Sequence, residues 1–154
     1  MTTRMPNFSR RALSDGEIAL GRSVFKDAIP WPRIGVAQIP KLNFGAMVPL
    51  GETIVFSSWR AAQDFAAALP QEQGWFIHEL AHVWQAKTGV VLGVSKLVAL
   101  GSHAYRYQAK AGARLQDYNI EQQAEIARHL FLARRGISLK DAPDAAWLER
   151  IWPV

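Results

Sequence analysis

Gln71-Glu72-Gln73-Gly74-Trp75-Phe76-Ile77-His78-Glu79-Leu80-Ala81-His82-Val83-Trp84-Gln85-Ala86-Lys87 contains one glycine and no proline, and it stops at Thr88-Gly89. Such a stretch predicts one continuous helix closed by a C-terminal glycine. At 100° per residue, Phe76, Ile77, Leu80, Ala81, Val83 and Trp84 fall on one side, with His78, Glu79, His82 and Gln85 on the other. One side seeks a core and the other gathers polar and titratable groups, so this central helix organises both the packing and the chemistry.

Working outward, Ser14 followed by Glu17 is a capping-box pattern, and Ile18, Leu20, Val24 and Phe25 give the stretch 14–25 a helical spacing. Pro30, Pro32 and Pro40 exclude a long helix, and the apolar pieces Ile34 to Ile39 and Thr53 to Phe56 read as short strands. Trp59, Ala62, Phe65, Ala66 and Leu69, spaced by threes and fours and ended by Pro70, predict a further helix. Beyond the central helix, residues 91–103 read as an apolar helix or covering segment. Asn119 with Gln122 then predicts another helix start, with Ile120, Gln123, Ala127, Leu130 and Phe131 as its packing side and Glu121, Glu125, Arg128 and His129 opposite. Trp147, Leu148, Ile151 and Trp152 suit a short helix docked on the body. The expected architecture is α+β: a flexible tail over 1–12, then a single domain over 13–154 in which a small β-sheet is followed by a bundle of helices.

At 154 residues and 49% hydrophobic content the chain supports one domain with a substantial core. It has no cysteine, so any metal must be held by His, Asp or Glu. The apolar stretch 90–99, interrupted by Gly93, Ser95 and Lys96, is far shorter than the ~20 residues of a spanning helix, so no membrane insertion is expected. The basic N-terminal residues are followed by no apolar segment or cleavage pattern. The expected localisation is therefore cytoplasmic, or export by a route that needs no signal peptide. A net charge of +5 would suit nucleic acid, but no binding motif accompanies it, and nucleic acid is not the expected partner.

His78-Glu79-Leu80-Ala81-His82 is the pattern H-E-x-x-H. On a helix its histidines lie one turn apart and can reach one Zn²⁺, while Glu79 sits where it can take a proton from a metal-activated water. The bland alternative is two solvated histidines on an amphipathic helix. With 4 His in the chain, chance occurrence of the pattern is on the order of half a per cent. A catalytic zinc takes three protein ligands. Glu121 is the candidate for the third, with Glu125 one turn later placed to orient a histidine; the competing account makes both acids favourable charges in a helix's first turns. His103 and His129 are rival third ligands. Tyr105, Tyr107 and Tyr118 are all candidates to stabilise an oxyanion, and spacing does not choose among them. The strand around Gly51 to Ser58 could align an extended peptide.

These residues resemble the zinc peptidases called gluzincins, in which H-E-x-x-H is completed by a glutamate from a later helix. Glu121-Gln122-Gln123-Ala124-Glu125 resembles their second element, with Glu125 where Asp is more usual. The stretches Phe25 to Val36, Met47 to Phe56, Phe76 to Gly89 and Tyr118 to Phe131 are similar, more narrowly, to small Vgr-related peptidases found with bacterial type VI secretion genes. The resemblance implies a zincin-like fold, Zn²⁺ held by His78, His82 and Glu121, Glu79 as general base in peptide-bond hydrolysis, Glu125 supporting a histidine, a peptide or protein substrate, and a link to a secretion system. Repressor-cleaving IrrE-like peptidases lack this tyrosine-rich connection, and SprT-like proteases normally use a third histidine. A rival from another class is a zinc-stabilised adaptor or structural component of a secretion assembly, inactive as an enzyme. A di-iron bundle would need two E-x-x-H elements, and only Glu79 to His82 supplies one.

Overall fold

The computed structural model describes residues 1–43, 45–49, 51–89 and 104–154. Among these residues the chain folds as a small α+β domain with a four-stranded sheet and four α-helices. The strands are β1 (Arg10–Ala12), β2 (Gly35–Gln38), β3 (Ala46–Met47) and β4 (Thr53–Phe56), in the spatial order β1-β2-β4-β3. β2 and β4 run parallel at the centre, flanked by antiparallel β1 and β3. Their sequences, Gly-Val-Ala-Gln and Thr-Ile-Val-Phe, are largely buried, as expected for central strands.

The helices are α1 (Asp15–Phe25), α2 (Pro70–Lys87), α3 (Ile120–Ala133) and α4 (Ala145–Ile151). Ser14 and Glu17 form the expected reciprocal cap of α1, and Asn119 and Gln122 that of α3. Past the end of α2, Gly89 has φ of 91°, a left-handed conformation that costs glycine nothing. Val24, Phe25, Phe76, Ile77, Leu80, Ile126, Leu130 and Phe131 are buried together in the core. α4 closes it by packing Trp152 edge-on to Phe25, with ring centres 5.6 Å apart.

Two stretches differ from the sequence expectation, and for one reason. Residues 59–69 are not an α-helix: they form bends and a single 3-10 turn, Phe65–Ala67, capped by the Asp64 carboxylate at 2.9 Å from Ala66 N. Their backbone is claimed by the N-terminus, with Met5 N donating to Ala61 O and Gln63 N donating to Thr3 O at 2.9 and 2.8 Å. Arg4 and Ala62 make a bridge, Met5 is buried, and Arg10–Ala12 is a strand, so residues read as a tail are paired with the body. Glu17 joins these pieces. Its fully buried carboxylate accepts two hydrogen bonds from Arg11 at 2.7 Å and one from Phe65 N at 2.8 Å, which is how a buried charge is tolerated. The stretch 91–103, read as an apolar segment, lies outside the described residues.

Candidate metal centre

α2 and α3 pack along one another, and the side of α2 that carries His78, Glu79, His82 and Gln85 is buried against α3 instead of facing open solvent. His78 Nε2 and His82 Nε2 lie 3.2 and 3.3 Å from Glu121 Oε2. Metal–ligand bonds of about 2.0–2.1 Å at tetrahedral angles separate ligand atoms by roughly 3.3 Å. One ligand atom from each of His78, His82 and Glu121 lies within 4.8 Å of the others, so the group could hold a metal ion. Two imidazoles and a carboxylate are a donor set that suits zinc.

The far sides of both rings are held. His78 Nδ1 is 2.8 Å from Glu125 Oε1, and Arg128 Nη1 in turn donates to both Glu125 oxygens at 3.2–3.3 Å. His82 Nδ1 is 2.8 Å from Gln85 Oε1, while Gln85 Nε2 donates to Ile120 O at 2.9 Å and to Gln123 Oε1 at 3.1 Å. Because the Gln85 amide spends its N–H groups on those acceptors, its oxygen must accept from His82 Nδ1–H. That tautomer leaves the His82 Nε2 lone pair facing the centre of the site. Burial alone would make His78 harder to protonate, but its hydrogen bonds to Glu121 and Glu125 and the charge of Glu79 raise its pKa to about 9. Burial likewise opposes ionisation of Glu121, yet hydrogen bonds from His78 and His82 hold its carboxyl well below the usual carboxylate range. The pocket is thus built for positive charge, whether a proton or a metal supplies it. Glu79 Oε2 is buried with no hydrogen-bond partner, and such a group calls for a ligand or water.

Of the rival ligands, His129 is not in the group. It accepts from or donates to the Tyr107 hydroxyl at 2.5 Å through Nδ1 and lies 3.6 Å from Glu125 Oε2, on the outer side of that carboxylate. His103 falls outside the described residues. The Tyr118 hydroxyl donates to Gln108 O at 2.7 Å and accepts from Lys110 N at 3.3 Å, and the Tyr107 hydroxyl is engaged with His129. Tyr105 is different: its ring centre is 5.7 Å from that of His78, and its hydroxyl has no partner among the described residues. Burial and the charges of Glu121, Glu79 and Glu125 raise its pKa to about 12, so the hydroxyl keeps its proton and can donate it in a hydrogen bond. Sequence reasoning placed Gln85 on the reactive side without a role and missed Trp75, whose ring centre is 5.3 Å from His78. The spacing of three between His82 and Gln85 was the one available signal, since residues three apart share a helix face.

Fold and site define a small α+β domain in which two helices present a buried His–His–Glu group able to hold a metal ion. No family model matches the chain. It is similar to a solved structure, the effector domain of Pseudomonas aeruginosa VgrG2b, with a TM-score of 0.69 and 34% sequence identity across 91% of this chain and 80% of that one. The chain belongs to the family of that effector domain. It is also 36% identical over 134 residues, 80% of its length, to the type VI secretion system spike protein VgrG2b of Pseudomonas aeruginosa, of which it spans 13%.

Proposed function

We propose that this domain is a zinc-dependent peptidase with a zincin-like arrangement, acting as an effector or processing module of a bacterial type VI secretion system. The observation that carries the reading is the convergence of His78, His82 and Glu121 beside the buried, unpartnered oxygen of Glu79. When bound, Zn²⁺ supplies Lewis-acid polarisation of the scissile carbonyl and lowers the pKa of a water. Glu79 removes a proton from that water as it attacks, then delivers the proton to the departing amine. Gln85 and Glu125 keep the two imidazoles turned inward, and the Tyr105 hydroxyl donates a hydrogen bond to the oxygen on which charge develops. The secretion link rests on the VgrG2b similarity.

A zinc-stabilised adaptor would favour a closed site with a fourth protein ligand. Among the described residues no fourth His, Asp or Glu joins the group, which favours a coordination position left for water or substrate. Metal analysis of wild-type protein and Glu79→Gln, with digestion of a broad peptide library, tests the reading. Zinc in both proteins with cleavage by wild type alone is the expected result. Absence of zinc overturns the metal assignment, and zinc in both with no cleavage by either leaves the adaptor.

A further inference from the structure

Beside the metal-binding group stands an arginine that the proposed chemistry does not use. Arg60 follows the turn after β4, where its amide donates to Ser57 O at 3.0 Å, and its guanidinium packs against two indoles. Its Cζ lies 4.9 Å from the Trp59 ring centre and 4.4 Å from that of Trp75, a residue that also neighbours His78 and carries the Arg128 guanidinium 3.9 Å from its ring centre. Gly45 makes room for it, since a Cβ there would sit 2.6 Å from Arg60 Nε.

Arg4, Arg11, Arg128 and Arg134 each have a carboxylate partner, but among the described residues Arg60 has none within 4.0 Å. Withdrawing a cation from water without an anion is costly, and burial does pull the Arg60 pKa below its ordinary value, with Glu79 acting in the opposite sense. The guanidinium borders a cavity of about 260 Å³ lined by Phe56, Trp59, Phe65, Glu72 and Trp75, room for one side chain or a chain end. Glu72 does not cancel the positive charge there, because Arg4 holds it at 2.6 Å and Thr2 also donates to it. Stacking occupies the faces of the guanidinium and leaves its in-plane N–H groups as a fork that fits a planar carboxylate.

We propose that Arg60, framed by Trp59 and Trp75, is a carboxylate-recognition subsite beside the metal centre, selecting peptides that carry a free carboxylate close to the scissile bond. The carboxylate comes either from an acidic side chain or from the peptide's C-terminus. The assignment rests on the peptidase reading, and its test separates the two. Zinc-loaded Glu79→Gln protein is titrated calorimetrically with matched peptides bearing Glu or Gln at successive positions and a free or amidated C-terminus. The same peptides are offered to Glu79→Gln/Arg60→Gln, and their hydrolysis by wild-type protein is followed in parallel.

The expected result is that carboxylate peptides bind about tenfold more tightly than their amide counterparts, as one hydrogen-bonded charge pair would give. Arg60→Gln abolishes that preference while leaving zinc content and the affinity for neutral peptides unchanged. Which carboxylate carries the preference identifies its source. Equal binding of acid and amide, no binding of any peptide, or a loss in Arg60→Gln shared equally by acid and amide overturns the subsite. Carboxylate-selective binding without hydrolysis overturns the peptidase reading and leaves the subsite standing, whereas hydrolysis without carboxylate preference does the reverse.

Discussion

His82 directs Nε2 into the site because Gln85 accepts from its other nitrogen, and Gln85 can do so only while Ile120 O and Gln123 hold its amide in place. Gln85→Ala is therefore expected to keep the fold and lower zinc affinity by about 10- to 100-fold, the usual cost of losing a group that orients a ligand. Competition with a chromophoric chelator measures this, and unchanged affinity would remove Gln85 from the site. Glu79→Gln preserves side-chain shape but cannot accept a proton. Turnover in peptide-cleavage assays should fall by about 10²- to 10⁴-fold with zinc retained, and a metal-loaded variant of full activity would exclude Glu79 as the base. Glu125 stands where the resembled family more often has Asp, and its longer side chain reaches His78 Nδ1 at 2.8 Å with Arg128 bracing it. The extra methylene is accommodated at this position.

Elements meet in this protein through a few positions that admit no extra atom. A Cβ on Gly21 would lie 2.4 Å from the Trp31 ring, whose Nε1–H donates to Lys26 O at 3.0 Å. Gly21→Ala is expected to destabilise the fold by roughly 1–3 kcal/mol through overpacking, despite the better helix propensity of alanine. Denaturant unfolding at constant m-value would show it, and an unchanged or raised midpoint would contradict the packing account. Helix limits were legible wherever caps were local, as at Ser14 and Asn119, whose hydrogen bonds span three residues. The helical spacing over 59–69 misled because its apolar residues serve a different arrangement. Ala61, Ala62 and Phe65 are all buried, but Phe65 stacks on Phe76 at 4.8 Å from a 3-10 turn, and residues 3–5 take the backbone groups a helix would have used.

At the scale of the whole molecule, the His78–His82–Glu121 group exists only when α2 and α3 are packed together, since Glu121 is 43 positions from His78. Zinc should then bind the folded chain in preference to the unfolded one. Saturation at 100 times the dissociation constant is expected to add about 2.7 kcal/mol of stability, reversed by chelation and largely absent in Glu121→Gln. Thermal unfolding with and without zinc measures it, and an equal gain in Glu121→Gln would place the metal elsewhere. The same packing buries the face that sequence periodicity marked as polar, which concentrates the charges of Glu79, Glu121 and Glu125 around the two histidines.

By itself, the sequence determined the α+β class, the two central strands, the capped helices, the H-E-x-x-H face and the pairing of Glu121 with Glu125 on one side of a later helix, because each depends on spacings of two to four residues along one element. That these acids reach the histidines was decided by the packing of α2 on α3. Only the tertiary structure decided that residues 1–12 pair with the body, that 59–69 is not a helix, and that Tyr105 is the tyrosine left open toward His78. It alone brought Arg60 and Trp75 beside the site. Those outcomes depend on hydrogen bonds and ring contacts between residues far apart in sequence, and no local periodicity encodes them.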